Sequence, residues 1–345
     1  MANNNDKKVL NVPDLRFPEF SGEWVETELQ DIVPNICSGK DRISNSGEVA
    51  LYGSTGVIGR TNSASYKENI VLVARVGANA GQMQIGNAPC GVTDNTLVID
   101  AKEWNYYIYY FLQHYNLNRL VFGSGQPLIT GGMLKRIKVR YGCKAERNNI
   151  TRLLCLIDER IATQNKIIEK LESLIKGIAD KLFQTARETK LLLELAPNIT
   201  SGTDKNGSGT IPLYGSTGII GKVKNASQKG NIVLVARVGT IGTVQYVKES
   251  CGVSDNALIV EAGEMTKYIY HFLKTYKFAH ITSGTTQPLI TASSLKKIAV
   301  PTYDIERQTQ IVLCLNILER KLDIEKQYLS DIAMMKQYLL HQMFI

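Results

Sequence analysis

The chain has 345 residues, 44% of them hydrophobic and 21% charged, so it is neither disordered nor fibrous and can build two or three globular cores. Its formal charge of +8 permits a polyanionic partner without requiring one. No run approaches the roughly 18 to 20 apolar residues of a membrane span, and MANNNDKKVLNVPD lacks a signal-type apolar segment, so no membrane partner and a cytoplasmic location are expected.

In chain order, the first patterned segment is VPNICSGKD at 33–41, which pairs with APNITSGTD at 196–204. LYGSTGVIGR at 51–60 returns as LYGSTGIIGK at 213–222, and NIVLVARVG at 69–77 reappears letter for letter at 231–239. CGVTDNTLVID at 90–100 pairs with CGVSDNALIVE at 251–261, and QPLIT recurs at 126–130 and 287–291. This is one domain copied in tandem. NIVLVARV is a β-branched run bounded by Asn and Gly, which predicts a buried strand, and LVID or LIVE predicts another. EWNYYIYYFLQHYN and EMTKYIYHFLKTYK carry apolar and aromatic residues at helical spacing. They are expected to pack on the sheet as core; the other reading of their rings is base stacking.

After each copy the pattern becomes a heptad. Leu154, Ile157, Ile161, Gln164, Ile168, Leu171, Ile175, Ile178 and Leu182 form one seam, and Leu315, Leu318, Leu322, Glu325, Leu329, Ile332, then Met335 or Lys336, Leu339 and Met343 form the other. Each apolar stripe needs a partner, and the simplest is the other helix. Gln164 and Glu325 interrupt the seams at equivalent places, either to fix register or to face a wet gap. The expected architecture is α+β: α/β domains at 1–145 and 188–305, spaced by long helices at 146–187 and 306–345. If the helices pair as an antiparallel coiled coil, a pseudo-twofold axis relates the copies. Most of the excess positive charge lies in the two globular segments, with 15 Lys and Arg against 13 Asp and Glu in the first and 12 against 8 in the second.

Tests for chemistry fail in both copies. A Walker phosphate loop needs GxxxxGK followed by Ser or Thr, but Ser216 stands five before Gly221 and Val223 replaces the hydroxyl. Ser54, Gly59 and Arg60 fail likewise. The four histidines, His114, His271, His280 and His341, accompany no HExxH, GxSxG or paired-carboxylate pattern. The six scattered cysteines, Cys37, Cys90, Cys143, Cys155, Cys251 and Cys314, have no metal-ligand spacing and read as reduced thiols. An NPPY-type pocket and an AdoMet loop are also absent. No catalytic or metal site and no cofactor of its own are therefore expected. The repeated SGKD, YGSTG, ARVG, TDN and GSGQP segments hold glycine, short polar and basic residues, either as turns of a β-rich domain or as a DNA-reading surface.

Two such domains alternating with two heptad helices resemble the DNA-specificity subunit of type I restriction-modification systems. DLRFPEFSGEW at 14–24 and the helix endings GIADKLFQ and QYLLHQMF add to the resemblance, which covers nearly the whole chain. It implies a non-catalytic subunit in which each globule reads half of a bipartite double-stranded DNA target and the helices set the gap. It further implies docking of two methyltransferase subunits that supply AdoMet and adenine N6 methylation, and it admits restriction subunits using ATP and Mg. The rival readings are a stand-alone duplicated DNA-binding regulator and a coiled-coil scaffold with β-rich ligand-binding modules.

Under the resemblance the DNA face of the first copy is expected to comprise Ser38, Lys40, Tyr52, Ser54, Thr55, Arg60, Arg75, Asn79, Asn95, Ser124 and Gln126. That of the second comprises Ser201, Lys205, Tyr214, Ser216, Thr217, Lys222, Arg237, Thr240, Asn256, Thr285, Thr286 and Gln287. Arg75 and Arg237 read either as phosphate contacts or as members of structural ion pairs. Partner docking is assigned to the coiled coil, through Leu154, Ile157, Ile161, Gln164, Ile168, Leu171, Leu315, Leu318, Leu322, Glu325, Leu329 and Ile332. Similar readers should select similar half-sites, so the target is expected to approach an interrupted palindrome.

Overall fold

The computed structural model describes residues 11–121, 127–283 and 288–345. The repeated β-branched run forms the strand its composition predicts, with all five residues buried in each copy. The first copy contains β1 (Val25–Glu28), α1 (Leu29–Ile32), β2 (Ile36–Ser38), β3 (Val49–Gly53), β4 (Gly56–Thr61), β5 (Ile70–Ala74), β6 (Met83–Gly86), β7 (Cys90–Val92), β8 (Thr96–Ile99), α2 (Asn105–Tyr115), α3 (Gly131–Lys135) and β9 (Lys138–Tyr141). Helix α4 (Lys144–Gln184) follows. The second copy repeats this order as β10 (Glu188–Leu191), α5 (Leu192–Leu195), β11 (Thr200–Ser201), β12 (Ile211–Gly215), β13 (Gly218–Val223), β14 (Ile232–Ala236), β15 (Val244–Val247), β16 (Gly252–Val253), β17 (Ala257–Val260), α6 (Thr266–Thr275), α7 (Ala292–Lys296) and β18 (Ala299–Thr302), then α8 (Ile305–Gln342).

Each copy has a four-stranded antiparallel sheet, ordered β2-β8-β5-β6 or β11-β17-β14-β15, and a three-stranded sheet, β4-β3-β7 or β13-β12-β16. The YGSTG segment is the turn of the β3–β4 and β12–β13 hairpins, with Tyr52 opposite Val57 and Tyr214 opposite Ile219. On one face of the first sheet, Tyr107, Ile108 and Phe111 of α2 pack with Val71, Val73, Leu97 and Ile99. Tyr107, Tyr110 and Phe111 are each at most 2% exposed, so the core reading of these rings holds over the base-stacking one.

The chain divides into two compact units, Met1–Gln164 with Tyr328–Ile345, and Asn165–Gln327, so each long helix contributes one half to each unit. Within the first unit, Lys336 pairs with Asp158 at 2.6 Å and Tyr328 meets Arg160; within the second, Lys326 pairs with Glu172 at 2.6 Å and Tyr303 donates to the Leu182 carbonyl. The helices are therefore antiparallel inside each unit. Leu154, Ile157, Gln164, Ile168, Leu315 and Ile332 are buried, and Ile161, Leu171, Leu318, Leu322, Glu325 and Leu329 are half-buried, as a shared seam requires. Of the two candidates near its end, Lys336 turns inward and Met335 stays exposed. At about 1.5 Å per residue, the 41-residue α4 is roughly 60 Å long.

The helices end at Gln184 and Gln342, short of the expected limits of 187 and 345, and both ends join a core. After Gln342 the chain leaves the helix, and Phe344 lies 5.4 Å from Tyr107 and 6.2 Å from Phe111 between ring centres. Phe183, at the end of α4, takes the same place in the second unit, 5.5 Å from both Tyr268 and Phe272. The DLRFPEF segment is tied to the start of α4. Arg16 donates to both oxygens of the buried Glu146 carboxylate, at 2.6 and 2.9 Å, and a Cβ at Gly142 would collide with that carboxylate.

Polar contacts join each aromatic helix to its long helix. Tyr110 donates to Asp158 at 2.8 Å, and His271 takes the equivalent place, with Nε2 3.0 Å from Asn316 Oδ1 and Nδ1 3.8 Å from Glu319. Burial holds the His271 imidazole below the usual histidine pKa, against the pull of Glu319. Unfolding therefore takes up a proton at mildly acid pH, and the stability present above the unfolded value of about 6.5 is lost as pH falls from there through the lower folded value. The melting temperature of the wild-type chain should fall between pH 7.5 and 5, and His271→Gln should flatten that fall. An unchanged pH slope in the variant would remove the imidazole from the explanation.

Candidate nucleic-acid interface

The order of strands carries several of the repeated loops to one end of each four-stranded sheet. β2 and β5 finish there, β8 and β6 start there, and the β3–β4 turn lies beside them. Backbone hydrogen bonds stitch these loops together. Gly39 N donates to Thr96 O at 3.0 Å, Thr93 N to Tyr52 O at 3.0 Å, Arg75 N to Asn95 O at 3.0 Å, and Ile129 N to Arg75 O at 2.9 Å. The second copy repeats the set, with Gly202 to Ala257 at 3.1 Å, Ser254 to Tyr214 at 2.9 Å, Arg237 to Asn256 at 3.0 Å and Ile290 to Arg237 at 3.0 Å. SGKD, YGSTG, VARVG, TDN and PLIT thus converge on a single surface in each unit.

Glycine is required where these loops cross. A Cβ on Gly39 would lie 2.1 Å from the Val92 carbonyl oxygen, and one on Gly202 would lie 2.2 Å from that of Val253. The aspartates that follow, Asp41 and Asp204, accept from Val92 N and Val253 N at 2.8 Å and from Ser65 and Ser227 hydroxyls. Gln84 and Gln245 each donate a side-chain amide to the turn, at Gly53 O (2.7 Å) and Gly215 O (2.9 Å). These four positioning residues were missed in the sequence. Their signal was retention in both copies, the aspartates closing the repeated SGKD and SGTD and the glutamines standing in segments that otherwise vary.

Arg75 and Arg237 occupy the centre of each surface, held by backbone bonds on both sides and half-buried. Neither guanidinium has an ion pair among the described residues. Arg237 Nε is buried with no hydrogen-bond partner among the described residues. An incoming phosphate or base acceptor would satisfy such a donor. Lys40, Thr55, Asn95, Lys205, Thr217, Thr240 and Asn256 are exposed on these loops, and Ser38, Ser54, Asn79, Ser201 and Ser216 are half-buried. Thr240 also donates to Ser216 O at 3.3 Å, joining the VARVG loop to the hairpin turn.

Several expected contacts sit elsewhere. Tyr52 is 7% exposed and packs in the core beside Leu72 and Val92, with its hydroxyl accepting from Asn87 N. Tyr214 is half-buried and donates to Glu249 at 2.8 Å, and burial pushes its phenol up to about 12. Arg60 lies at the far end of β4 from the turn and donates to Glu48 O at 2.6 Å, because a β-strand carries its fifth residue more than 10 Å from its first. Lys222 shares that position and is exposed. Ser124, Gln126, Thr285, Thr286 and Gln287 lie outside the described residues. The threonine that ends each QPLIT caps a short helix, Thr130 accepting from Met133 N and Thr291 from Ser294 N. The seam residues assigned to partner docking are turned into helix packing.

Burial raises the Cys90 and Cys251 thiols to about 11, which keeps them neutral and unreactive. No group of three or more His, Cys, Asp or Glu among the described residues could hold a metal ion. No helix of the described residues is long and apolar enough to cross a membrane.

The family model described as the type I restriction modification DNA specificity domain matches residues 21–173 and 192–334. The chain belongs to this specificity family. A Mycoplasma genitalium protein named as a type I specificity subunit is 24% identical over 380 aligned positions, covering 99% of this chain and 95% of that protein. The MjaVIII type I restriction enzyme specificity subunit of Methanocaldococcus jannaschii is 30% identical over 188 residues, 49% of this chain and 43% of its own. The crystal structure of a type I S subunit from M. genitalium superposes with a TM-score of 0.69 at 18% identity, covering 97% of this chain and 99% of that one. A structure concerned with assembly and conformational transition of a type I system gives 0.55 at 13% identity, covering 95% and 98%. At these identities the structural likeness establishes the shared fold alone.

Proposed function

We propose that this chain is the DNA-reading subunit of a type I complex, in which each unit recognises one half of a bipartite duplex target. The observation that carries this reading is the twofold construction of one surface: the same loops, stitched by the same backbone bonds around a half-buried arginine with no ion pair among the described residues. Glycines there let backbone amides approach phosphates, and the short polar side chains reach base edges. Phosphate contact falls to Arg75, Arg237 and Lys205, and base choice falls to the exposed positions that differ between copies, such as Lys40 against Thr203.

The helical segments set the separation of the half-sites and dock two methyltransferase subunits. Outward apolar residues, among them Leu156 and Leu174 on α4 and Leu313, Ile317 and Met334 on α8, favour such docking because all are more than half exposed. AdoMet belongs to those subunits, and ATP and Mg to any restriction subunit that joins them. The two units share their reading loops, so they select similar half-sites on strands of opposite polarity.

The test is to purify the chain with its methyltransferase and map methylated adenines in DNA exposed to the complex. An interrupted, nearly palindromic sequence is expected. Two unrelated half-sites would refute the palindrome, and failure to associate with a methyltransferase would refute the assembly.

A further inference from the structure

On the flank of the first unit a cleft of about 480 Å³ is lined by Arg119, Arg136, Lys138 and Arg140, with His114 at one side, Glu26 as the acidic side chain among them and Ile345 at its edge. Glu26 is shared between two of the cations, meeting Lys138 Nζ and Arg140 Nε at 2.8 Å each. Arg119 lies over the Tyr115 ring at 5.5 Å, and Arg136 has no hydrogen bond or ion pair from its guanidinium among the described residues. Both are exposed. Two exposed guanidiniums therefore face water beside a pair of cations that shares one carboxylate.

The second unit does not repeat this charge. Third in the short 3₁₀ turn that follows the aromatic helix, Arg119 is replaced by His280, and at the end of the next helix Arg136 becomes Lys297. In the last strand pair, Lys138 and Arg140 become Ala299 and Pro301, and Glu26 becomes Thr189. A side-chain charge of about +3 in one copy is thus reduced to about +1 in the other, although the rest of the second globule is the more basic. Shared folding requirements cannot explain a cluster that the duplicate fold does without.

The cleft adjoins the loop surface through the chain itself. Ile129, bonded to Arg75 O, leads into α3, and Arg136 follows directly after that helix, whose five residues span about 7.5 Å. We propose that this flank binds the phosphodiester backbone of duplex DNA running past the loops of the first unit, so the two units hold DNA unequally. The inference rests on the DNA-reading function above and adds a contact that carries no sequence information. Guanidiniums suit it because they stay charged and fork onto phosphate oxygens.

The test measures dissociation constants of the full chain for its mapped target and for a random duplex between 50 and 200 mM salt. Arg119→Gln with Arg136→Gln should lower the slope of log affinity against log salt by about 2, since each phosphate neutralised contributes about 0.9. Over that range the double variant should lose about tenfold less affinity than wild type, with its ratio of target to random binding unchanged. Arg119→Lys with Arg136→Lys should keep the wild-type slope. An unchanged slope in the glutamine variant, with or without loss of methyltransferase association, overturns the proposal. So does a change in sequence preference, which would make these residues base readers. Wild-type chain that shows no selective DNA binding at all would instead defeat the underlying function.

Discussion

Phe344→Ala is expected to destabilise the first unit by about 3–5 kcal/mol, the cost of emptying an aromatic site in a packed core. The ring is 3% exposed and touches Tyr107 and Phe111, so its removal leaves a hole between α2 and the end of α8. The chain's two tryptophans, Trp24 and Trp104, both belong to this unit. Their fluorescence therefore reports its unfolding in urea selectively. Phe344→Ala should move that transition to clearly lower urea. Phe183→Ala should instead move the loss of helical circular dichroism in the second unit while disturbing tryptophan fluorescence much less. A tryptophan transition that ignores Phe344→Ala would mean that the chain end is not part of the first core.

This arrangement explains why two long helices are each divided between two units. The aromatic helix of either copy is covered on one side by the start of the long helix that follows it, through Leu154 or Leu315, and on the other by the end of the remaining helix, through Phe344 or Phe183. Neither copy can complete its core from its own globular segment.

Periodicity carried the large features into view. A β-branched run flanked by Asn and Gly has few alternatives to a buried strand, and a heptad seam along a helix longer than 35 residues needs a partner helix. The duplication then supplied domain order. What the sequence could not show was which member of each loop faces outward. In LYGSTG the tyrosine alternates inward from the turn because of its strand register, and Arg60 is removed from the turn by strand length. In SGKD the glycine and aspartate serve a chain crossing, which arises from residues about 50 positions away. Such contacts leave no local pattern. The seam residues were legible as apolar, yet a partner-docking face and a helix-pairing face look alike until one is occupied.

Arg75→Ala and Arg237→Ala should each weaken DNA binding by about 1.5–3 kcal/mol, roughly ten- to hundredfold, and lower the salt slope by about 1. The double variant should lose nearly all binding at 200 mM salt. Lysine at either position should retain the slope with weaker affinity, since it keeps charge but not the fork. The free chain provides the decisive control. Arg237 Nε is buried without a partner among the described residues, so its removal takes away a desolvated donor and should leave the second unit's stability unchanged or higher. A residue retained for packing would behave the other way, with stability lost along with binding. Urea denaturation of Arg237→Ala, set beside its DNA affinity, separates the two. Reduced stability accompanied by wild-type affinity would make the arginine part of the fold and take the centre out of the reading surface.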